Sequence, residues 1–235
     1  KVGTSYSTNN GTSWSSTIYI PGVDTADKPI SETDNNSSSP FLGRTYMAYD
    51  ELKNGGEEIK GVYFAKSIDG GYNWDSAGRI TDVNPLYKRR LISDIAINSN
   101  GDVFVLWYAN RNYLGLAKST NGGVSWTVTN NAYDMNGIRG TFPTKSNIRV
   151  NGFTRIDVDR SGGLRNGWIY VVASEKNLSP AGSDPDVVLH KSTDGGVTWS
   201  AGVRVNQDAL NNGKYQWFPA IRVDEYGGVN IVYYD

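Results

Sequence analysis

The residues of this chain best suited to chemistry are carboxylates, arginines and aromatic rings that fall between its apolar segments. They are Asp50, Glu51, Arg89, Arg90, Arg111, Arg139, Glu175, Asp184 and Asp186, with Tyr215, Trp217 and Phe218 grouped towards the end of the chain. Paired carboxyl groups can donate a proton or act as nucleophile, which is the chemistry of glycoside cleavage. Aromatic rings offer flat apolar faces on which sugar rings stack. The same residue types also serve as ordinary solvated loop charges and as contacts between sheets, so their types alone assign no reaction.

Composition closes off other chemistries. The 235 residues contain no Cys, which excludes disulfides, thiolate metal sites and a thiol nucleophile. The single His190 stands where related segments carry Ala65, Ala117 and Ser5, which marks it as structural and excludes His-rich zinc sites. The run from Asp157 through Gly162 starts like a Ca²⁺ loop, but its twelfth position is Trp168 and not the required Glu. No metal and no cofactor is expected. With 23 basic and 24 acidic side chains, the formal charge of -1 offers no basic face for nucleic acid. No apolar run reaches the ~18 residues of a membrane span. The chain opens at Lys1 and stops at Tyr234-Asp235, which reads as a mature product or as an excerpt of a longer protein.

The elements that must position these residues show themselves as repeats. With 27 Gly, 7 Trp and 15 Tyr, the chain is turn-dense and aromatic-rich, and it lacks helical periodicity; an all-β class follows. One motif occurs four times, with Ser, then Asp or Asn, then Gly, then Trp at fixed spacing: Ser7, Asn9, Gly11, Trp14; Ser67, Asp69, Gly71, Trp74; Ser119, Asn121, Gly123, Trp126; Ser192, Asp194, Gly196, Trp199. Between the motifs lie strand–turn–strand units, such as Ile156-Asp157-Val158-Asp159 leading to Trp168-Ile169-Tyr170-Val171-Val172. Their anchors Asp34, Asn98, Asp159 and Asp224 are 64, 61 and 65 residues apart, a steadier period than the 60, 52 and 73 between motifs. Each period therefore holds strands A and B, a variable connection, and strands C and D around the motif. Tandem four-stranded antiparallel units of this length read as propeller blades.

The motifs resemble the Asp box, or BNR repeat, of sialidase-like β-propellers, whose consensus is Ser-x-Asp-x-Gly-x-Thr-Trp. Ser192 to Trp199 matches it in full; Asn9 and Asn121 carry amides, and Asn73 replaces the Thr. The resemblance implies three full blades and two half blades, with parts at 1–20, 28–82, 91–130, 153–206 and 215–235, as one domain or part of a larger one. The motifs are expected to be structural. The Asp or Asn accepts backbone N–H groups of its own turn, the Gly adopts angles closed to other residues, and the Trp buries its ring and pins strand D to strand C.

Strand order places every motif and every A–B turn at one end of the blades. The opposite end holds the connections Glu51–Ile59, Asn130–Phe153, Glu175–Pro185 and Gln207–Trp217, read as long and irregular, where binding usually resides. The resemblance also implies what a sialidase needs: three Arg around a carboxylate, a Tyr activated by a Glu, and an Asp acid. The family's Arg-Ile-Pro signature is missing; Arg139-Gly140-Thr141 and Arg44-Thr45-Tyr46 do not match it. Tyr49-Asp50 and Tyr234-Asp235 stand at apparently equivalent strand-B ends, a feature of blade architecture. The leading expectation is a secreted or cell-surface module, non-catalytic, that binds glycan or protein through its long-loop face. The alternatives are a glycoside hydrolase of exo-sialidase type and a structural repeat of a surface assembly.

Overall fold

A computed structural model describes residues 1–53, 58–82, 90–109, 112–142 and 145–235. Its described elements are all strands, with no α-helix among them. A first pair, β1 (Gly3–Thr4) and β2 (Ile18–Tyr19), precedes a four-stranded sheet of β3 (Ala26–Thr33), β4 (Thr45–Lys53), β5 (Glu58–Ser67) and β6 (Gly78–Arg79). The second four-stranded sheet holds β7 (Arg90–Ile97), β8 (Val103–Ala109), β9 (Tyr113–Ser119) and β10 (Thr127–Asp134). A hairpin of β11 (Arg139–Phe142) and β12 (Ile148–Asn151) follows. The third four-stranded sheet holds β13 (Arg155–Val158), β14 (Ile169–Glu175), β15 (Asp186–Ser192) and β16 (Val203–Arg204), and β17 (Trp217–Val223) with β18 (Val229–Tyr234) ends the chain. Strands in each sheet are in sequence order, so every connection is a simple up-and-down step. Two compact units result: Lys1–Val105 with Ala117–Val128, and Leu106–Leu116 with Thr129–Asp235.

The apolar runs explain the central strands. Val103 to Ala109 and Ile169 to Glu175 are buried at every position, as strands covered on both faces must be. In β18 burial alternates residue by residue, because one face packs on Tyr170, Val172 and Val187 while the other faces solvent.

The A–B anchors close their turns locally. Asp34, Asp159 and Asp224 each accept a backbone N–H two residues on, from Asn36, Ser161 and Tyr226, at 2.9–3.1 Å. Successive turns also nest. A Cβ on Gly101, at φ +79°, would lie 2.3 Å from Ser39 Oγ, and one on Gly227, at φ +80°, 2.7 Å from Asp159 Oδ2. The turn glycine of one sheet thus sits against the anchor carboxylate of the sheet before it.

The four Ser-to-Trp motifs share one hydrogen-bond plan. The Ser hydroxyl donates to the Asp or Asn Oδ1 at 2.8–2.9 Å and accepts the Gly N–H at 2.8–2.9 Å. The residue before the Trp sends its N–H to the same Oδ1 at 2.9 Å in all four. Polarity beyond that is matched pair by pair. The Asn9 and Asn121 amides donate to Ser13 and Ser125, whereas the Asp69 and Asp194 carboxylates accept from Asn73 and Thr198.

The motif tryptophans also reach back to the preceding sheet. Trp126 meets Phe64 edge-on at 4.7 Å, Trp199 meets Tyr133 at 5.3 Å, and Trp74 packs on the cluster of Val2, Ile20 and Val23 with Met47, Tyr49 and Ala65 of its own sheet. Trp14 belongs to the first strand pair and is 66 % exposed. One expectation needs correction, that of an irregular 130–153: among its described residues β10 runs on to Asp134 and β11 pairs with β12 as a hairpin, with Ile138 and Val150 packed on Trp217.

Candidate functional site

Register fixes which end of each sheet carries chemistry. In β4–β5 the pair Thr45–Ser67 lies at the motif end and Lys53–Glu58 at the other. In β14–β15 the corresponding pairs are Ile169–Ser192 and Glu175–Asp186. The candidate carboxylates therefore lie opposite the motifs in both sheets. They are not loop residues: Asp50 and Glu51 belong to β4, which extends past them, and Glu175 ends β14. All three are buried, as are Asp184 and Asp186, so the expectation of solvated loop charges is overturned.

The repeats also align more finely than the sequence suggested. Thr45, Ile169 and Val229 open the three B strands opposite Thr33, Val158 and Val223. Counting from them, Glu51, Glu175 and Asp235 fall at one equivalent position, and Asp50 pairs off with Ser174 and Tyr234. Tyr49-Asp50 is thus equivalent to Tyr233-Tyr234, one residue away from the match read in sequence.

Two A strands break in the same way near this end. Lys28 and Phe218 each precede a proline, each has positive φ (51° and 50°), and each lies in a register shift of its strand pair. Proline gives no N–H to the ladder, and the bulge re-aims the residue before it. Lys28 Nζ comes to 3.9 Å from Asp50 Oδ2, and Phe218 meets Tyr234 edge-on at 6.5 Å. The same bulge builds a charged pair in one sheet and an aromatic pair in another.

Asp50 is fully buried; its Oδ1 accepts the Ile92 N–H at 2.8 Å. Burial pushes its carboxyl up to about 7, opposed by that N–H and by Lys28, which is itself paired with Asp27. Glu51 Oε1 accepts the Thr25 N–H at 3.4 Å. Burial, then the charge of Glu51, raises the Tyr49 phenol well above its ordinary range. In the second unit Glu175 Oε1 lies 3.4 Å from His190 Nε2, and Tyr133 stacks on the imidazole at 4.1 Å. Burial and then Glu175 push the Tyr133 phenol well up too.

Asp184 and Asp186 hold loops in place. Asp184 accepts the N–H groups of Asn211 and Gly213, and Asp186 accepts from Gly182 N–H, Asn206 and Arg204. Arg204 continues to Asp208, and its counterpart in the earlier sheet, Arg79, donates to the Asp82 carbonyl at 2.7 Å. These two guanidinium groups are committed to their own loops. Gln216, buried, donates to Asp235 at 2.7 Å.

The aromatic residues do converge. Trp217 stacks parallel to Tyr234 at 5.9 Å and 9°, Phe142 lies 4.6 Å from Tyr215 and 6.0 Å from Trp217, and Lys145 Nζ stands 5.9 Å from the Tyr215 ring. Trp217 is buried as the floor, while Phe218 is 39 % and Tyr234 63 % exposed. Arg139 lies exposed on β11. Arg89, Arg111 and the side chain of Arg90 lie outside the described residues. Sequence reasoning missed Lys28, Phe142, Lys145, Tyr133 and the His190–Glu175 contact. The shared X-Pro at Lys28-Pro29 and Phe218-Pro219 was the only signal pointing to any of them.

No family model matches the chain, and no curated protein matches it. Solved structures do. An intramolecular trans-sialidase from Ruminococcus gnavus superposes with TM-score 0.58 at 14 % identity, over 98 % of this chain and 45 % of that one. The fold is sialidase-like. The NanB sialidase of Streptococcus pneumoniae gives TM-score 0.57 at 14 % identity, over 98 % and 32 %. An α-L-arabinofuranosidase from Fusarium graminearum gives 0.53 at 10 %, over 94 % and 58 %. The chain spans about a third to three-fifths of the length of these three structures. At such identity the likeness is one of fold.

Proposed function

We propose that this chain is a β-propeller module of sialidase-like fold, its four-stranded sheets serving as blades, and that it binds glycan without cleaving it. Binding takes place at the strand ends opposite the Ser-to-Trp motifs. The observation that carries this reading is the Trp217–Tyr234–Phe218 cluster. It has a buried indole floor and two exposed rings, one of them held in a strained backbone conformation by a proline bulge. Strain kept at an exposed aromatic is a mark of function. Lys214 and Asp235, paired at 3.7 Å beside the rings, supply polar partners for sugar hydroxyls. The matched structures include enzymes named for sialic acid and for arabinofuranose, so the fold accommodates sugars of different kinds. A secreted or cell-surface location accords with such a ligand.

The non-catalytic part rests on the arginines: Arg204 is held by Asp186 and Asp208, Arg79 donates to the Asp82 carbonyl, and the Arg-Ile-Pro signature is missing. One observation favours the second reading, a glycoside hydrolase: Asp50, near 7, has the proton affinity of a general acid.

A glycan array followed by calorimetry tests the proposal. Binding is expected, with Phe218→Ala and Tyr234→Ala each weakening it about two- to tenfold, in line with ring-stacking contributions of ~0.5–1.5 kcal/mol. Binding to no glycan, with capture of a defined cell-surface protein instead, would replace glycan by protein. Turnover of aryl glycosides that Asp50→Asn abolishes would install the hydrolase reading.

A further inference from the structure

The β11–β12 hairpin is an addition to the repeat. β2 passes to β3, and β16 to β17, with no sheet in between, whereas β10 and β13 are separated by a two-stranded sheet of their own. The four-stranded sheets do not need this element, and insertions of that kind are where a repeat scaffold carries binding.

Its charge is one-sided. Between Asp134 and Asp157 the chain has four basic residues, Arg139, Lys145, Arg149 and Arg155, and no acidic one, although acidic side chains outnumber basic ones 24 to 23 overall. The nearby carboxylates are engaged elsewhere. Asp134 accepts from the Asn131 amide at 2.9 Å, and Asp157 pairs with Arg160 and accepts the Val223 N–H, each at 2.8 Å. Glu175, which forms a backbone bridge with Gly137, is buried. Among the described residues neither Lys145 nor Arg149 has an acidic partner.

Register gathers the charge on one face. Arg139 pairs with Asn151 and Thr141 with Arg149, while Gly140 pairs with Val150 and Phe142 with Ile148. Paired residues share a face and successive ones alternate. The side of Phe142 and Val150 is the inner one, packed with Ile138, Tyr215 and Trp217. Arg139, Thr141 and Arg149 are exposed on the outer side. The two arginines are diagonal neighbours across the strands, a spacing of about 7–8 Å. Lys145 stands at the tip, its Nζ 5.9 Å from the Tyr215 ring, and the Asn147 N–H closes that tip on Phe142 O at 3.1 Å.

Cations held side by side repel, and an anion seated on them relieves the repulsion. Guanidinium forks suit oxyanions. A sulfate ester has three free oxygens, one more than a carboxylate, and Arg139, Thr141 and Arg149 are three donor side chains around one spot. A single terminal carboxylate would meet this trio or Lys145 but not both, because trio and tip are set apart along the hairpin. A linear polymer with repeated anions meets them in series. Nucleic acid fits less well: the outer trio includes no aromatic ring for a base to stack on, and the chain as a whole is not basic.

We propose that the outer face of the β11–β12 hairpin binds a linear sulfated polysaccharide, with one sulfate ester on Arg139, Thr141 and Arg149 and a further anionic group of the polymer on Lys145. This face is turned away from the Trp217 rings. It is a second site, and it does not rest on ring stacking there.

Calorimetric titration of the full chain with a size-defined heparin oligosaccharide tests this. Binding is expected at low ionic strength and weakens as NaCl is raised, because exposed ion contacts are screened. Arg139→Gln combined with Arg149→Gln is expected to weaken it about tenfold or more. Lys1→Gln combined with Arg222→Gln removes the same charge at exposed positions elsewhere and is expected to change it about twofold or less. Thr141→Val keeps the charge and suits a strand, and is expected to weaken binding about two- to tenfold. It decides the location even where the arginine variant does not fold. No heparin binding, a loss as large in the Lys1 and Arg222 variant as in the hairpin one, or unchanged affinity in Thr141→Val overturns the proposal. Undiminished binding of the desulfated oligosaccharide overturns the sulfate assignment in favour of carboxylates. Equal affinity for single-stranded DNA of the same charge overturns the polysaccharide.

Discussion

Lys28 and Phe218 occupy the same place in two different sheets: each precedes a proline, has φ near +50° and faces the sixth position of its B strand. In one sheet that position is the buried carboxyl of Asp50, in the other the exposed ring of Tyr234. One backbone device thus yields a charged contact and an aromatic one, and the residue types alone set which chemistry appears.

The Asp50 carboxyl makes stability fall as pH rises. Its folded value, about 7, lies above that of the unfolded chain, so between roughly pH 4 and 7 folding takes up a proton. The penalty is absent below that window and complete above it, on the order of a few kcal/mol. Asp50→Asn keeps an acceptor for the Ile92 N–H and cannot ionise. Thermal melts are expected to show it raising Tm at pH 8 and leaving Tm nearly unchanged at pH 4. Equal effects at both pH values would show that Asp50 ionises normally in the fold.

The motif tryptophans separate into two groups by what they reach. Trp126→Ala and Trp199→Ala remove contacts with Phe64 and Tyr133 and should cost ~3 kcal/mol or somewhat less for these half-buried rings. Trp14→Ala, at an exposed ring, should cost under ~1 kcal/mol. Urea unfolding of the three variants gives the comparison; three similar losses would place the stabilisation inside each hairpin after all.

Asp194 tests the polarity matching within the motifs. Hydrogen bonds from Thr198 hold its carboxyl down at about 2. Its contribution is therefore present above the unfolded value, ~3.9, and is lost as pH falls through about 2. Asp194→Asn recreates the arrangement of Asn121 with Ser125, so Tm at pH 7 should hardly change while this acid dependence disappears. Asp194→Ala should lower Tm at pH 7, read by calorimetry. A loss as large for Asn as for Ala would mean that the charge, and not the acceptor, closes the turn.

Gly115 is required by Trp107. A Cβ at 115 would lie 1.9 Å from the indole Nε1 in a buried site, closer than any side chain tolerates. Gly115→Ala is expected to cost ~1–3 kcal/mol or more through overpacking. Adding Trp107→Leu should recover part of that loss in a double-mutant cycle. Strictly additive losses would show that the two positions do not meet.

What could be read from the amino acids was what short stretches decide for themselves. The Ser-to-Trp motifs form their hydrogen bonds within four residues, and the A–B anchors theirs within four, so residue type and spacing specify both. Long uniform apolar runs likewise announced the central strands, and steady anchor spacing announced their tandem order. The site was another matter. Asp50 and Glu51 looked like loop charges because polarity in sequence says nothing of the sheet that later covers it. Burial of these groups, and of Glu175, arises only when neighbouring strands and sheets pack against them, and burial is what lifts the Asp50 proton affinity. The stacking of Tyr133 on His190, 57 positions away, and of Trp217 on Tyr234 depends on register and packing across strands. Local hydrogen-bond geometry is written in neighbouring residues; desolvation and ring contacts belong to surfaces that exist only once the sheets have assembled.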